Sequence, residues 1–193
     1  MTVMKKDITD VLDHPAHIVA PLLIGCELER ELNGKRIRVR IVETEAYDET
    51  DAASHSYKGK TPRTEVMFGE PGHLYVYFTY GMHYCCNIVT DTLGVGSAVL
   101  IRAVEPIEGE EYMQLLRERT DETLSNGPAK LCQALGIDKQ MNGHDLATSP
   151  LKLIIRKPLD SHKITQTKRI GIRQAQAVPW RFYMTGNMYV SSP

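Results

Sequence analysis

The decisive stretch is RIRVRIVETE, residues 36–45, in which apolar and charged side chains alternate. Successive side chains of a β-strand point to opposite faces, so this pattern predicts a strand with one buried face. The alternation predicts that Glu43 and Glu45 continue that face at the C-terminal end of the strand. The apolar part of the predicted face consists of Ile37, Val39 and Ile41.

A carboxylate at the edge of an apolar core loses solvation, which makes it a better base. Glu43 and Glu45 are therefore candidates for acid–base chemistry. The alternative interpretation is that the strand leaves the core at this point and both carboxylates are solvated.

The elements around this strand indicate an α+β fold with a mostly antiparallel sheet, because strands follow one another through hairpins without a regular βαβ alternation. Residues 48–73 are polar and rich in Gly and Pro, and predict a long loop of the kind that is usually functional. The other predicted strands cover residues 74–80, 84–90, 97–104, about 151–156 and 181–190, and the predicted helices cover residues 15–24, 109–118 and 128–135.

Composition indicates an ordinary globular protein, with 42% hydrophobic and 24% charged residues among 193. That length suits one domain, which we take as residues 1–193. The N-terminus lacks the apolar segment of a secretory signal, and no apolar run is long enough to span a bilayer. We therefore expect a protein with no membrane partner, with reduced and buried cysteines. No C-x-x-C pair occurs, so we expect no metal.

Charge is unevenly distributed along the chain, although the net charge is only −1. Residues 126–193 carry ten Lys or Arg and three Asp or Glu, a net of +7, whereas residues 1–125 carry a net of −8. A basic second half suits a phosphate-bearing partner. The alternative is a solvated basic face with no partner.

Tyrosines form the second signal, because Tyr75, Tyr77, Tyr80 and Tyr84 fall within ten residues beside the turn at Gly81. Alternation sends Tyr77 and Tyr80 to opposite faces of the hairpin. One ring lining a pocket and another projecting from the tip would suit the extrusion of a base from a duplex. The alternative is that all of them pack the sheet as residues of high strand propensity.

Three further polar residues occupy notable positions. His55 lies in the long loop among small polar residues, where a histidine is usually a surface residue. Arg102 shares one face of an apolar strand with Ala98 and Leu100, so its charge needs a partner, for which Glu45 is a candidate. Asn87 is likewise a polar side chain within an apolar strand.

These residues, in this order, resemble the alkyladenine (3-methyladenine) DNA glycosylase family. The resemblance covers nearly the whole chain, and the joint occurrence of ETEAY, LYVY-x-x-YGM and GPAKLCQALGI is highly specific. It implies one domain with a curved, open-barrel-like antiparallel sheet, flanking helices and a protruding hairpin that inserts into DNA. It also implies double-stranded DNA containing damaged purines as the partner.

The resemblance also implies roles for individual residues. Glu45 matches the general base and Arg102 the arginine that helps to hold the attacking water. Tyr80 matches the intercalating tyrosine. The pocket residues implied by the resemblance are Tyr47, His55, Tyr77, Asn87, which screens out normal guanine, and Ile170, whose carbonyl contacts the water.

The expected reaction is hydrolysis at a sugar anomeric carbon by water, without a cofactor. Lys130 and Arg63 are candidate phosphate contacts. We expect a monomer in the cytoplasm, associated with the nucleoid in a bacterium or nuclear in a eukaryote. Two other functions stay open, namely a non-catalytic nucleic-acid-binding module and a nucleosidase of related fold.

Overall fold

A computed structural model describes residues 8–79 and 81–192, and within them an eight-stranded antiparallel sheet forms the body of the protein. The strands are β1 Glu27–Leu32, β2 Lys35–Tyr47, β3 Leu74–Thr79, β4 His83–Val89, β5 Ala98–Glu108, β6 Leu151–Ile154, β7 Ile164–Thr167 and β8 Arg181–Met184. The α-helices are α1 Ile8–Leu12, α2 Ala16–Leu23, α3 Glu110–Arg117 and α4 Pro128–Ala134. The predicted α+β fold with a mostly antiparallel, open sheet is confirmed.

Strand β2 is the centre of the sheet. It pairs with β5 along one edge, and its other edge pairs first with β1 and then, at residues 43–45, with β8. The remaining order is β3-β4-β5 on one side and β1-β6 on the other, while β7 pairs with β8. The second half of β2 is thus enclosed by strands on both edges.

The apolar core lies between one face of the sheet and the helices. Ile37, Val39 and Ile41 are completely buried in it, together with Ala20 of α2. Phe182 of β8 contributes to the same cluster from the far end of the chain. Because α2 covers this face, the functional residues described below occupy the opposite face of β2.

The prediction that Glu43 and Glu45 share a face with Ile37, Val39 and Ile41 is wrong. The register of β2 against β5 passes from Ile41–Val104 to Glu43–Ala103 and leaves Val42 without a partner. Such a β-bulge inserts one residue and re-aims the side chains that follow it. The Thr44 hydroxyl therefore donates a hydrogen bond to the Ala20 carbonyl of α2, and Ala46 packs in the core. Glu43 and Glu45 lie on the opposite face of β2.

A second bulge compensates for the first. In β5, Arg102 has no partner in the register, since Glu43 pairs with Ala103 and Thr44 with Ile101. The two extra residues lie on opposite strands and flank the Glu43–Ala103 pair, so the pairing register after them equals the register before them. Both strands thus change their facing at the same point.

The predicted long loop contains two short 3₁₀ helices, His55–Lys58 and Glu65–Phe68. Ser54 caps the first by accepting a hydrogen bond from the Ser56 amide, and the Ser56 hydroxyl donates to the Gly96 carbonyl at 2.7 Å. These contacts fix the loop to the connection between β4 and β5. The sequence analysis also missed strands β1 and β7 and helix α1.

Within the described residues no helix is long and apolar enough to cross a membrane. All four cysteine side chains are buried, as predicted. The described part of the chain contains no cluster of three or more His, Cys, Asp or Glu side chains arranged to hold a metal ion.

Candidate active site

A pocket of about 610 Å³ opens on the face of β2, β3, β4 and β5 that lies opposite the core. Alternation along each strand produces its wall, because every second residue of β3, β4 and β5 points into it. The strand residues of the wall are Tyr75, Tyr77, Thr79, Cys85, Asn87, Leu100 and Arg102. The structure thereby brings six predicted site residues to one cavity: Tyr47, His55, Tyr77, Asn87, Arg102 and Ile170.

Glu45 lies directly behind this wall and is completely buried. Its Oε2 accepts a hydrogen bond of 2.7 Å from the Tyr47 hydroxyl, and its Oε1 accepts one of 2.7 Å from the Ile170 amide. The Arg102 guanidinium is 3.4 Å from Oε2. Three groups of the pocket wall therefore hold a charged carboxylate in one orientation.

Arg102 lies between the two glutamates. Its Nε donates to Glu43 at 3.2 Å, while its Nη1 faces Glu45. The predicted partnership with Glu45 is present, and Glu43 is a second partner that the sequence analysis did not identify. Arg102 is also part of the pocket wall.

Glu43 is the most heavily bonded carboxylate of the site. Besides Arg102, its oxygens accept hydrogen bonds from Arg181 Nε at 2.7 Å and from the amide and hydroxyl of Ser191 at 2.7 and 2.9 Å. Four protein donors therefore contact this carboxylate, three of them at Oε1 and one at Oε2. The structure thus separates two neighbouring carboxylates into a structural one, Glu43, and one adjoining the pocket, Glu45.

Aromatic rings form the side of the pocket that a flat ligand would contact. Tyr75 and Tyr77 stack at 5.7 Å between ring centroids, and the His55 ring packs edge-on against Tyr77 at 4.6 Å. The prediction that Tyr77 faces a pocket is confirmed. Aromatic side chains that line a pocket can bind the π-face of a nucleobase.

Burial sets the protonation of several pocket groups. Desolvation, followed by the nearby Arg63 charge, lowers the pKa of His55, which favours the neutral imidazole. Its Nδ1 is 3.1 Å from the Tyr75 hydroxyl. Burial, and next the charge of Glu45, raises the pKa of Tyr47, so its phenol remains a hydrogen-bond donor. Burial likewise raises the pKa of Cys85 to about 11, which keeps the thiol uncharged.

Asn87 lies on the pocket wall with its orientation fixed. Its side-chain amide donates a hydrogen bond of 3.2 Å to the Tyr75 carbonyl, and only 5% of the residue is exposed. The hydrogen bond and the burial together hold the side-chain amide in one orientation on the wall. Among the described residues, no lysine lines the pocket, so the wall offers no amine that could form a Schiff base.

Two further predicted site residues, Arg63 and Lys130, are not among the residues that line the pocket. Arg63 is exposed, with its guanidinium 6.0 Å from the centre of the Tyr77 ring, which places it at the rim. Lys130 donates to Asn126 at 2.7 Å, next to Pro128 of the pocket wall. Tyr80, the predicted intercalating residue, lies outside the described residues.

Sequence reasoning missed part of the wall. The segment 171–174 closes one side of the pocket, and Cys85 and Leu100 close another. Alternation from Asn87 along β4 and from Arg102 along β5 would have identified Cys85 and Leu100. The segment 171–174 has no regular secondary structure and therefore no pattern that could have indicated it.

Comparison with known proteins agrees with this geometry. The sequence profile described as methylpurine-DNA glycosylase matches residues 10–188. A protein of Carboxydothermus hydrogenoformans is 51% identical over 176 residues, which are 90% of this chain and 92% of that protein. A protein of Desulfitobacterium hafniense is 46% identical over 202 residues, covering 97% and 99% of the two chains.

A third relative, from Methanoculleus marisnigri, is 48% identical over 182 residues, covering 90% of this chain and 92% of its own. All three carry the name "Putative 3-methyladenine DNA glycosylase". The profile match extends over most of the chain and includes every predicted site residue. The chain therefore belongs to the methylpurine-DNA glycosylase family.

Proposed function

We propose that this protein excises damaged purine bases from duplex DNA by hydrolysis of the N-glycosidic bond. The observation that supports this most strongly is the Glu45 carboxylate, which is completely buried yet adjoins an aromatic pocket and is oriented by Tyr47, Ile170 and Arg102. A water molecule between Glu45 and the pocket would attack the anomeric carbon. Its oxygen joins the sugar, its proton passes to Glu45, and the purine leaves with the bonding electrons.

Charge makes a cationic purine a suitable substrate. A base alkylated at N3 or N7 already carries a positive charge, so the glycosidic bond breaks without prior protonation. An ionised Glu45 also stabilises the oxocarbenium-like sugar that develops as the bond breaks. Hypoxanthine, which is neutral, is the more demanding substrate because its departure requires a proton.

Pocket shape supports entry of a flipped base. The rings of Tyr77, Tyr47 and His55 offer faces and edges for a purine, and the backbone amide of His55 would read its edge. Asn87 would collide with the exocyclic amino group of normal guanine. Extruding the base costs a few kcal/mol of lost stacking and pairing. Tyr80 would fill the space that the base leaves in the duplex.

Phosphate contacts would come from the basic residues beside the pocket, including Lys130 and Arg63. We propose that the protein acts as a monomer. A substrate of duplex DNA implies a location with the chromosome, which is the cytoplasmic nucleoid in a bacterium. The absence of lysine from the described pocket wall favours simple hydrolysis without strand cleavage.

A lesion panel tests the proposal. Duplex oligonucleotides containing 3-methyladenine, 7-methylguanine or hypoxanthine should release the free base, and an undamaged duplex should not. Free inosine, offered at the same concentration as the hypoxanthine duplex, should remain intact. Hydrolysis of inosine at a similar rate would indicate a nucleosidase, and tight duplex binding without release of any base would indicate a binding module.

A further inference from the structure

Arg169 is buried beneath the pocket wall and contacts neither the pocket nor the solvent. Its side chain is 0% exposed. Nη1 donates to the Ala46 carbonyl at 2.8 Å and also contacts Asp51, while Nη2 donates to Asp51 at 3.0 Å. The guanidinium thus joins the end of β2 to the start of the loop that carries His55.

The same guanidinium also packs against two aromatic rings. Its central carbon is 4.7 Å from the centre of the Tyr47 ring and 5.5 Å from that of Trp180. Trp180 in turn stacks on His17 of α2, with the rings 5.2 Å apart and nearly parallel. A series of contacts between flat groups therefore connects Tyr47 to helix α2 through Arg169, Trp180 and His17.

Sequence adjacency adds a third connection. The residue after Arg169 is Ile170, whose amide donates the 2.7 Å hydrogen bond to Glu45. Fixing the Arg169 side chain fixes the peptide that carries this amide. Two of the three groups that orient Glu45, the Tyr47 hydroxyl and the Ile170 amide, thus depend on one buried arginine.

We propose that Arg169 is a positioning residue for N-glycosidic hydrolysis, which holds Tyr47 and the Ile170 amide on Glu45 without contacting substrate. The inference rests on the proposed function, since it concerns the same general base, Glu45. Misplacement of reacting groups by about 1 Å can cost about 10²-fold in rate. A change at Arg169 should therefore affect the chemical step far more than the binding of DNA.

Lysine cannot replace arginine at this position. A guanidinium is planar, pairs with a carboxylate through two nitrogens and stacks on aromatic faces at the same time, whereas an ammonium is a point charge on a flexible stem. Arg169→Lys keeps the charge opposite Asp51 but loses the packing on Tyr47 and Trp180. It therefore separates the role in positioning from the mere neutralisation of a buried aspartate.

The experiment compares Arg169→Met, Arg169→Lys and Arg156→Met with the wild type. Arg156 is the matched control, because it also forms a two-nitrogen pair with a carboxylate, that of Glu27 at 3.0 and 2.7 Å, but lies outside the pocket wall. Single-turnover excision of hypoxanthine from a duplex, at saturating protein, measures the chemical step. Affinity for a duplex with a tetrahydrofuran abasic-site analogue measures binding, and thermal unfolding identifies the temperature at which every variant is folded.

We expect the excision rate of Arg169→Met to fall about 10²-fold and that of Arg169→Lys at least about tenfold, with affinities within about threefold of the wild type. Arg156→Met should keep the wild-type rate. If the wild type releases no damaged purine from any duplex, the proposed function and this inference fall together. If the wild type is active and Arg169→Lys excises within threefold of it, or loses affinity as much as rate, the inference alone is overturned.

Discussion

The division of labour between the two neighbouring glutamates leads to the most discriminating test. Glu45→Gln and Glu43→Gln make the same chemical change two residues apart, at two completely buried side chains. The structure predicts opposite consequences for them. The first should lose excision and keep the fold, and the second should lose stability.

The glutamine that replaces Glu45 can still accept from the Ile170 amide, and its NH₂ group can donate to the Tyr47 oxygen, so most of the local hydrogen bonding is retained. It cannot accept a proton from water. Loss of a general base costs about 10²–10⁴ in rate, which corresponds to about 2.7–5.4 kcal/mol at 1.36 kcal/mol per factor of ten. The Arg102 charge keeps its other partner, Glu43, so the free energy of unfolding should change little.

The glutamine that replaces Glu43 leaves two buried guanidinium groups, those of Arg102 and Arg181, without their shared carboxylate. Removing one partner from a buried ion pair costs about 3–5 kcal/mol of stability. Its NH₂ group would also face donors from the arginines or Ser191. We expect Glu43→Gln to unfold at markedly lower denaturant concentration than Glu45→Gln.

Two measurements decide between these expectations: urea unfolding of both variants and single-turnover release of 7-methylguanine at a temperature where both are folded. The reasoning is refuted if Glu45→Gln excises at a near-normal rate, or if it is as unstable as Glu43→Gln. Either result would mean that the hydrogen bonds around the two carboxylates do not distinguish a general base, Glu45, from a structural carboxylate, Glu43.

Four further outcomes are expected. Binding to undamaged duplex should weaken steeply with salt, because the basic half of the chain displaces counterions; an affinity that stays flat between 50 and about 200 mM salt would contradict this. Tyr80→Ala should excise hypoxanthine poorly from a paired site and recover in a mismatch, whereas Tyr77→Ala should show no such recovery; single-turnover rates on both duplexes compare them. A Cβ at Gly96 would lie 2.6 Å from Ser56 Cβ and from the Phe68 ring. Gly96→Ala should therefore lower the free energy of unfolding in urea by about 1–3 kcal/mol, and an unchanged urea midpoint would contradict the tight contact. The pKa of His55 is lowered from 6.5 in the folded protein, so below that pH the unfolded chain takes up a proton more readily than the folded chain does. The free energy of unfolding should therefore fall with acidification less steeply in His55→Gln than in the wild type. Equal slopes of unfolding free energy against pH would refute this.

Alternation was the most informative part of the sequence. It predicted β2, β3, β4 and β5, it sent Tyr77 toward a pocket, and it put Arg102 on one face with Leu100, which lines the pocket beside it. It failed at Glu43 and Glu45, because a bulge changes the facing of a strand and depends on pairing with a partner that the local sequence does not show.

Charged side chains prevented the prediction of other parts of the structure. Strand β1, ELEREL, has the composition of a solvated segment, yet its charged side chains form ion pairs along the sheet, such as Glu29 with Arg36 at 2.7 Å. Arg169 and Arg181 would ordinarily be assigned to the surface. Their burial depends on Asp51 and Glu43, each more than a hundred residues away in the chain, and local patterns contain no information about such pairs.

The paired bulges of β2 and β5 restrict how this chain can change in length. Val42 and Arg102 are each one residue in excess, on facing strands, and together they cancel. Deleting either one alone would slide one strand against the other by a residue, and Glu45 would lose its place opposite Leu100. Deleting both would restore a regular ladder between Ile41 and Thr44 but would remove the arginine of the site. Insertions and deletions here are therefore acceptable to the sheet only as matched pairs, so the two strands are coupled in length as well as in side-chain contacts.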